Sequence, residues 1–449
     1  MTIMTNQFPP KDIITALLMS FKISFYDFEE VQGTAVTLYK FRPQLGTRVN
    51  RIRALKDELS AALCVPSVRI IAPMEDGSVG IEVPKSDRPI LPFSDIVASP
   101  MFQHTEMQLP LCIGRQVDNS VFIADLAEMP HLLVAGATGQ GKSVGLNVLL
   151  LSLLKKKSPD ELKLVLVDPK KVELGIYSSL EQSYLACPVI TEPDEAQQRL
   201  ESLCALMDER YSLLSSVGVR NISEYNSLRI VEKMPYIVVV IDEYADLIMT
   251  SDRQLEQTIC RLAQKARAVG IHVVLCTQRP DTKVVTGNIK ANFPTRIAFR
   301  TTTGIDSRVI IDQLGAERLN GRGDMLYFSG VSTIRVQCAF ASLNDVTQTC
   351  QNIQESYAEY KSEFRLPLSP SEQAQKTREE FLEQYYAEKK RKEQNRIEAE
   401  RRTQEWLKER EKNKESIEAR RRQLYRNFYG SNNAYMTFFL PANSKLKKK

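Results

Sequence analysis

Residues 131–143 read HLLVAGATGQGKS, an aliphatic run entering a glycine-rich turn that ends on a cation and a hydroxyl. Gly136, Ala137, Thr138, Gly139, Gln140 and Gly141 can turn backbone N–H groups toward phosphate oxygens, because the glycines let the chain approach closely. Lys142 is spaced to reach β- and γ-phosphates and Ser143 to ligate Mg2+. The apolar run SVGLNVLLLSLL that follows reads as a helix whose N-terminal dipole adds positive potential. The implied chemistry is the holding of a nucleotide's β- and γ-phosphates with Mg2+.

YIVVVIDEY at 236–244 supplies what such a turn needs beside it. Five apolar residues form a buried strand, and Asp242 and Glu243 stand at its carboxyl end, where α/β sheets place their ligands. Asp242 is the expected second Mg2+ residue. Glu243 is the expected base that orients and deprotonates an attacking water, which favours hydrolysis over transfer. In CTQRP at 276–280, Thr277 and Gln278 end the next strand at the same edge, positioned to meet that water or the γ-phosphate.

Arginines and lysines extend the chemistry. Arg267, in LAQKARAVGIH, is the candidate for an arginine supplied to a neighbouring subunit's phosphates. Between 279 and 308, Arg279, Lys283, Lys290, Arg296, Arg300 and Arg308 face only Asp281 and Asp306. Basic loops without interleaved aromatic platforms suit the phosphates of a duplex, contacted without regard to sequence.

These groups need a scaffold, and the strand pattern gives one. HLLVAG, LKLVLVDP, YIVVVIDE, IHVVLCTQRP, TRIAFRT, DMLYF and TIRVQCAF alternate with helical stretches over 101–354. Continuous aliphatic runs mean strands covered on both faces, hence a parallel, doubly wound sheet. A lead-in over 1–29 precedes a small α/β pattern at 30–100, which carries no nameable chemistry of its own. A Pro-punctuated linker at 355–371 leads to a tail at 372–449, rich in Glu, Lys, Arg and Gln, that reads as a solvated helix.

Composition narrows the class. The chain has 449 residues, 43% hydrophobic, with no apolar run long enough to span a bilayer, so it reads as a soluble cytoplasmic protein. Its eight cysteines lack disulfide or zinc spacing and read as buried thiols. The net charge of +5 is all in the tail: from 371 onward 21 Lys and Arg meet 13 Asp and Glu, leaving the rest slightly acidic.

With these residues in view, the chain resembles the FtsK/SpoIIIE family of double-stranded DNA translocases. PHLLVAGATGQGKSVGLN, LVLVDPKKVEL, MDERYSLLSSVGVRNISEYN, PYIVVVIDEYADLIM, RLAQKARAVGIHVVLCTQRP, TGNIKANFPTRIAFR and IDSRVIIDQLGAERLNGRGDMLY occur in the family's order. The segment from GTAVTLYKFRP to PFSDIVAS is similar to the family's small α domain. The resemblance implies an α/β fold: a RecA-like P-loop NTPase core, the small preceding α/β domain, and the charged helical tail. It implies a homo-hexamer threading duplex DNA through its pore, with Lys142, Ser143, Asp242 and Glu243 matching the nucleotide motifs. Arg267 falls where the family places its trans-acting arginine, and Arg279, Lys283, Lys290 and Arg308 fall in pore-facing segments. No membrane helices precede the motor here, and the tail does not resemble the winged helix of the cell-division members. The expected role is a soluble motor in chromosome segregation or mobile-element transfer, whose tail binds DNA or a protein partner. Two other classes compete: a ring ATPase driving protein transport or conjugative secretion, and a non-motor protein using nucleotide as a switch.

Overall fold

A computed structural model describes residues 8–428 except 75, 251, 252, 365 and 368. Residues 1–7 of the expected lead-in and 429–449 of the expected tail lie outside the described residues. The chain divides into two units, one running to Glu372 and one from Gln373.

The first unit opens on the helix Pro10–Ser20, with proline at its first position, where the missing N–H costs nothing. An antiparallel sheet follows: β1 (Phe25–Gln32), β2 (Val36–Pro43), β3 (Arg69–Ile71) and β4 (Val79–Pro84), in the order β1-β2-β4-β3. Two short helices, Val49–Ala54 and Lys56–Ala62, lie between β2 and β3. Ile14 and Leu18 of the first helix share one core with Phe41, Ile52, Leu59 and Ile81. Residues 10–28 of the lead-in are therefore packed into the small module.

The larger sheet is built from β5 (Pro110–Gln116), β6 (Val121–Asp125), β7 (Leu132–Ala135), β8 (Leu162–Val167), β9 (Tyr236–Ile241), β10 (Ile271–Thr277), β11 (Thr295–Phe299), β12 (Asp324–Phe328) and β13 (Thr333–Cys338). Its order is β6-β5-β13-β12-β11-β7-β10-β9-β8. β11, β7, β10, β9 and β8 run parallel, as expected of runs buried on both faces. β12, β13, β5 and β6 extend it antiparallel, so the sheet is mixed and not the purely parallel one expected from the aliphatic runs. β12 and β13 are joined by the tight turn around Gly330, which a parallel pair could not use. The helix Lys142–Lys156 follows β7 and buries Leu146, Leu149, Leu150 and Leu153.

A buried ionic cluster joins the small module to the motor sheet. Arg335 on β13 donates to Glu82 on β4 at 2.6 Å and to Asp324 on β12 at 2.6 and 2.9 Å. Arg69 also reaches Glu82, at 3.1 Å. Burial works against the Arg335 charge, but Asp324 and Glu82 outweigh it and raise its pKa.

The second unit is helical: the helix Pro370–Phe428 spans 59 residues. Glu388–Lys392 and Glu398–Arg402 pair at i,i+4 on its surface, at 2.8 and 2.9 Å. Among the described residues no helix is long and apolar enough to cross a membrane.

Candidate functional site

β7, β9 and β10 are neighbours, so their carboxyl ends deliver Gly136, Asp242 and Thr277 to one edge of the sheet. The turn 136–141 follows β7 and packs too tightly for side chains at two places. A Cβ on Gly136 would lie 2.6 Å from that of Phe299, and one on Gly141, whose φ is 115°, would lie 2.7 Å from the Gly323 nitrogen. Gly323 in turn donates its N–H to the Gln140 carbonyl at 3.0 Å.

Lys142 pairs with the Oδ1 of Asp242, both side chains almost fully buried. Burial opposes the Lys142 charge, yet Asp242 and Glu243 hold its pKa above the usual value. Burial raises the Asp242 carboxyl, Lys142 counteracts it, and Glu173 and Asp168 add to the rise. The second oxygen of Asp242 is buried without a hydrogen-bond partner. Ser143 donates its hydroxyl to Glu173 at 2.6 Å. The uncommitted Asp242 oxygen and the Ser143 hydroxyl are donor types that suit a hard divalent cation.

Glu243 is fully buried and sits at φ 55°, a left-handed conformation that a non-glycine residue adopts only when its surroundings impose it. The strain turns the chain from β9 into the helix Tyr244–Thr250 and sends the carboxylate back toward β10. There Oε1 accepts from the Thr277 hydroxyl at 3.0 Å and the Gln278 N–H at 3.1 Å, while Lys170 meets Oε2 at 3.1 Å. The Gln278 side chain accepts from the Thr138 hydroxyl at 2.7 Å, tying the strand end to the glycine-rich turn. Thr277 thus addresses Glu243 itself.

A cavity of about 510 Å³ opens over this edge. Thr138, Lys142, Ser143, Glu173 and Gln278 line it together with Arg88, Ile90, Leu91 and Phe340.

The remaining expected site residues lie elsewhere. Arg267 is exposed on the turn Ala266–Val269, at the start of β10, and so at the opposite edge of the sheet from Lys142. Arg279 and Lys283 are exposed in the segment after β10. Lys290, in the helix Gly287–Asn292, is paired with Asp312 at 2.6 Å, and Arg308 is exposed on the helix Gly304–Ile311. Arg296, counted with the basic stretch, is buried on β11 and bonded to Asp312, Phe293, Ile310 and Lys290. Its charge is used inside the fold.

Lys170 and Glu173 were assigned no role from sequence. Their signal was available: DPKKVEL follows β8 at the same carboxyl edge. Arg88 and Ile90 share one segment and Phe340 lies far along the chain, and only the folded topology joins them.

Comparison with known proteins gives the family. Residues 93–282 match the model of the FtsK/SpoIIIE family, and residues 6–85 match the FtsK alpha domain, together more than half of the chain. A DNA translocase FtsK of Helicobacter pylori is 43% identical over 359 residues, 78% of this chain and 42% of that protein. Another, of Caldanaerobacter subterraneus, is 43% identical over 356 residues, 79% of this chain and 50% of that protein. The chain spans about half the length of the curated relatives it matches. Among solved structures, the pCW3 conjugation coupling protein TcpA with ATPγS has a TM-score of 0.56 and 27% identity, covering 77% of this chain and 99% of that one. The cytoplasmic domain of the Thermomonospora curvata secretion ATPase EccC has a TM-score of 0.52 at 21% identity, covering 63% and 35% of the two chains, which speaks for a shared P-loop ATPase fold.

Proposed function

The chain belongs to the FtsK/SpoIIIE family, and from that premise we propose that it is an ATP-driven motor on double-stranded DNA. The observation that carries the catalytic half is the buried Glu243, strained into place beside the Lys142–Asp242 pair. The backbone of 136–141 cradles the phosphates, and Lys142 leaves Asp242 to meet their negative charge. Ser143 and Asp242 would hold Mg2+, which when bound neutralises charge on the β- and γ-phosphates. Glu243, steered by Thr277, takes the proton of the attacking water, and Gln278 senses the γ-phosphate through its link to Thr138. Arg267 cannot serve its own subunit's Lys142 from the opposite sheet edge, so it is assigned to a neighbour's nucleotide in a ring, a homo-hexamer.

Arg279, Lys283 and Arg308 are the exposed cations assigned to duplex phosphates, with Lys290 recruited once Asp312 releases it. The domains are assigned as 10–84 small module, since the first helix and β1 pack into its core, 93–354 motor, 355–371 linker and 372–449 tail. The helical tail adds nonspecific DNA affinity or docks a partner, and the protein works in the cytoplasm. The test is ATP turnover with and without long linear duplex across a salt series. A motor on DNA gives strong stimulation that fades steeply as salt rises.

The likeness to a conjugation coupling protein favours one second reading, a ring ATPase serving conjugative secretion or protein transport. It requires turnover that duplex DNA leaves unchanged.

A further inference from the structure

Ser143 gives its hydroxyl proton to Oε1 of Glu173, at 2.6 Å. A hydroxyl has one hydrogen to donate and two lone pairs to offer, so this bond fixes which way the lone pairs face. Glu173 is half-buried, yet among the described residues it has no ion pair. The lysines nearest it in sequence are held elsewhere, Lys170 by Glu243 and Asp246 and Lys171 by Glu192.

The chain around Glu173 is braced from two sides. Asp168, fully buried just after β8, accepts the N–H groups of Glu173 and Leu174 on Oδ2, at 3.0 and 2.9 Å. Its own N–H goes to the Ile190 carbonyl at 2.8 Å, which ties the bend to the segment running beside β8. On the other side Tyr177, in the helical turn Gly175–Leu180, donates its hydroxyl to Asn147 at 2.9 Å. Asn147 stands one turn beyond Ser143 on the same helix. Glu173 and Ser143 are thus kept facing each other by contacts that neither side chain makes itself. Oδ1 of Asp168 and Oδ2 of Asp242 are both buried without a hydrogen-bond partner. Glu173 and Asp168 also act on the Asp242 carboxyl, adding to the rise that its burial produces. Negative charge gathered beside a hydroxyl with free lone pairs suits a hard cation.

We infer that Glu173 is a positioning residue that acts through Ser143: by holding the hydroxyl proton, it aims a Ser143 lone pair at the Mg2+ of the hydrolysis reaction. This rests on the reading of Ser143 as a ligand of that ion. Glu173 touches neither phosphate nor attacking water in this role. What it sets is the strength with which the loaded protein keeps its cation. A carboxylate that merely filled space beside the helix would leave that strength alone.

The test uses the full chain in excess over ATPγS, with Mn2+ as the probe and its free ion followed by electron paramagnetic resonance. Glu173→Ala weakens Mn2+ binding about 10- to 100-fold, the usual cost of removing a group that orients a metal ligand. ATPγS affinity in EDTA and the melting temperature stay as in the wild type. The Mg2+ concentration for half-maximal ATP turnover rises by a similar factor, and excess Mg2+ restores the rate. Glu173→Gln, whose amide oxygen still accepts the Ser143 proton, keeps wild-type Mn2+ affinity. Wild-type Mn2+ affinity in Glu173→Ala overturns the assignment. So does a Glu173→Gln protein as weak as Glu173→Ala, which makes charge and not the accepted proton the cause. Loss of ATPγS affinity in EDTA overturns it too, because Glu173 is then a prop of the glycine-rich turn. Ser143→Ala separates the two readings: it weakens Mn2+ binding if Ser143 is a ligand, and if it does not, the reading of Ser143 fails and the role of Glu173 with it.

Discussion

The Lys170 ammonium lies 3.1 Å from Oε2 of Glu243 and 3.4 Å from Asp246, while Thr277 and Gln278 take Oε1 of the same glutamate. The carboxylate assigned as the base is thus oriented on both oxygens before any substrate arrives. Glu243→Gln should bind ATPγS normally and lose on the order of 10²- to 10⁴-fold in turnover. Lys170→Met should lose about tenfold in turnover with nucleotide affinity unchanged, because it frees the base without touching the phosphate site. A normal rate in either variant counts against Glu243.

Lys142 and Asp242 form a buried pair, and removing one partner strands the other. Lys142→Met should abolish nucleotide binding and also lower stability by about 3 kcal/mol, the typical cost of an uncompensated buried charge. Adding Asp242→Asn should restore most of the melting temperature and none of the binding. Calorimetric melting with nucleotide titration distinguishes the two effects.

Arg335 serves Glu82 and Asp324 at once, so Arg335→Met leaves the buried Asp324 without its ion pair and Glu82 with Arg69 alone. The expected loss is about 3–5 kcal/mol, read from urea denaturation. The triple variant Glu82→Gln, Asp324→Asn, Arg335→Met should recover part of it, since neutral groups carry a smaller burial penalty.

His131 and His272 pack with ring centres 6.2 Å apart in the motor core. Burial pushes them down to about 3 and about 4. Their folded values lie below the unfolded one, so the unfolded chain binds more protons and stability drains away as pH falls from about 7 toward 4. Each histidine should cost about 2 kcal/mol between pH 7 and pH 5. His131→Gln with His272→Gln should flatten that slope, whatever it does to stability at pH 8.

The exposed cations should differ from the paired one. Lys283→Ala and Arg308→Ala should each weaken duplex-stimulated turnover and reduce the salt slope of DNA binding by about one. Lys290→Ala should do less, because the free protein already spends that charge on Asp312. Equal effects from all three would show that the pair opens fully on DNA.

The glycine-rich turn and the Asp242–Glu243 edge were legible because each is local: a strand, a turn and its chemistry lie within about a dozen residues. β8, β9 and β10 were legible for the same reason, as runs dominated by aliphatic residues. β5 was not, since Gly114 breaks its alternation where the register shifts against β6, with φ 155° and no room for a Cβ beside the Gln337 carbonyl. Counting charge also could not tell Arg296, consumed by Asp312 inside the fold, from Arg308 on the surface.

Triplex displacement on linear duplex tests the central claim most directly, with wild type, Lys142→Ala and Glu243→Gln compared at equal DNA occupancy. ATP-dependent stripping of the third strand by wild type, delayed in proportion to its distance from the free end, and its absence in both variants, is the result expected of a motor driven at this site. Release by wild type that ignores that distance, or equal release by the Glu243→Gln protein, contradicts it.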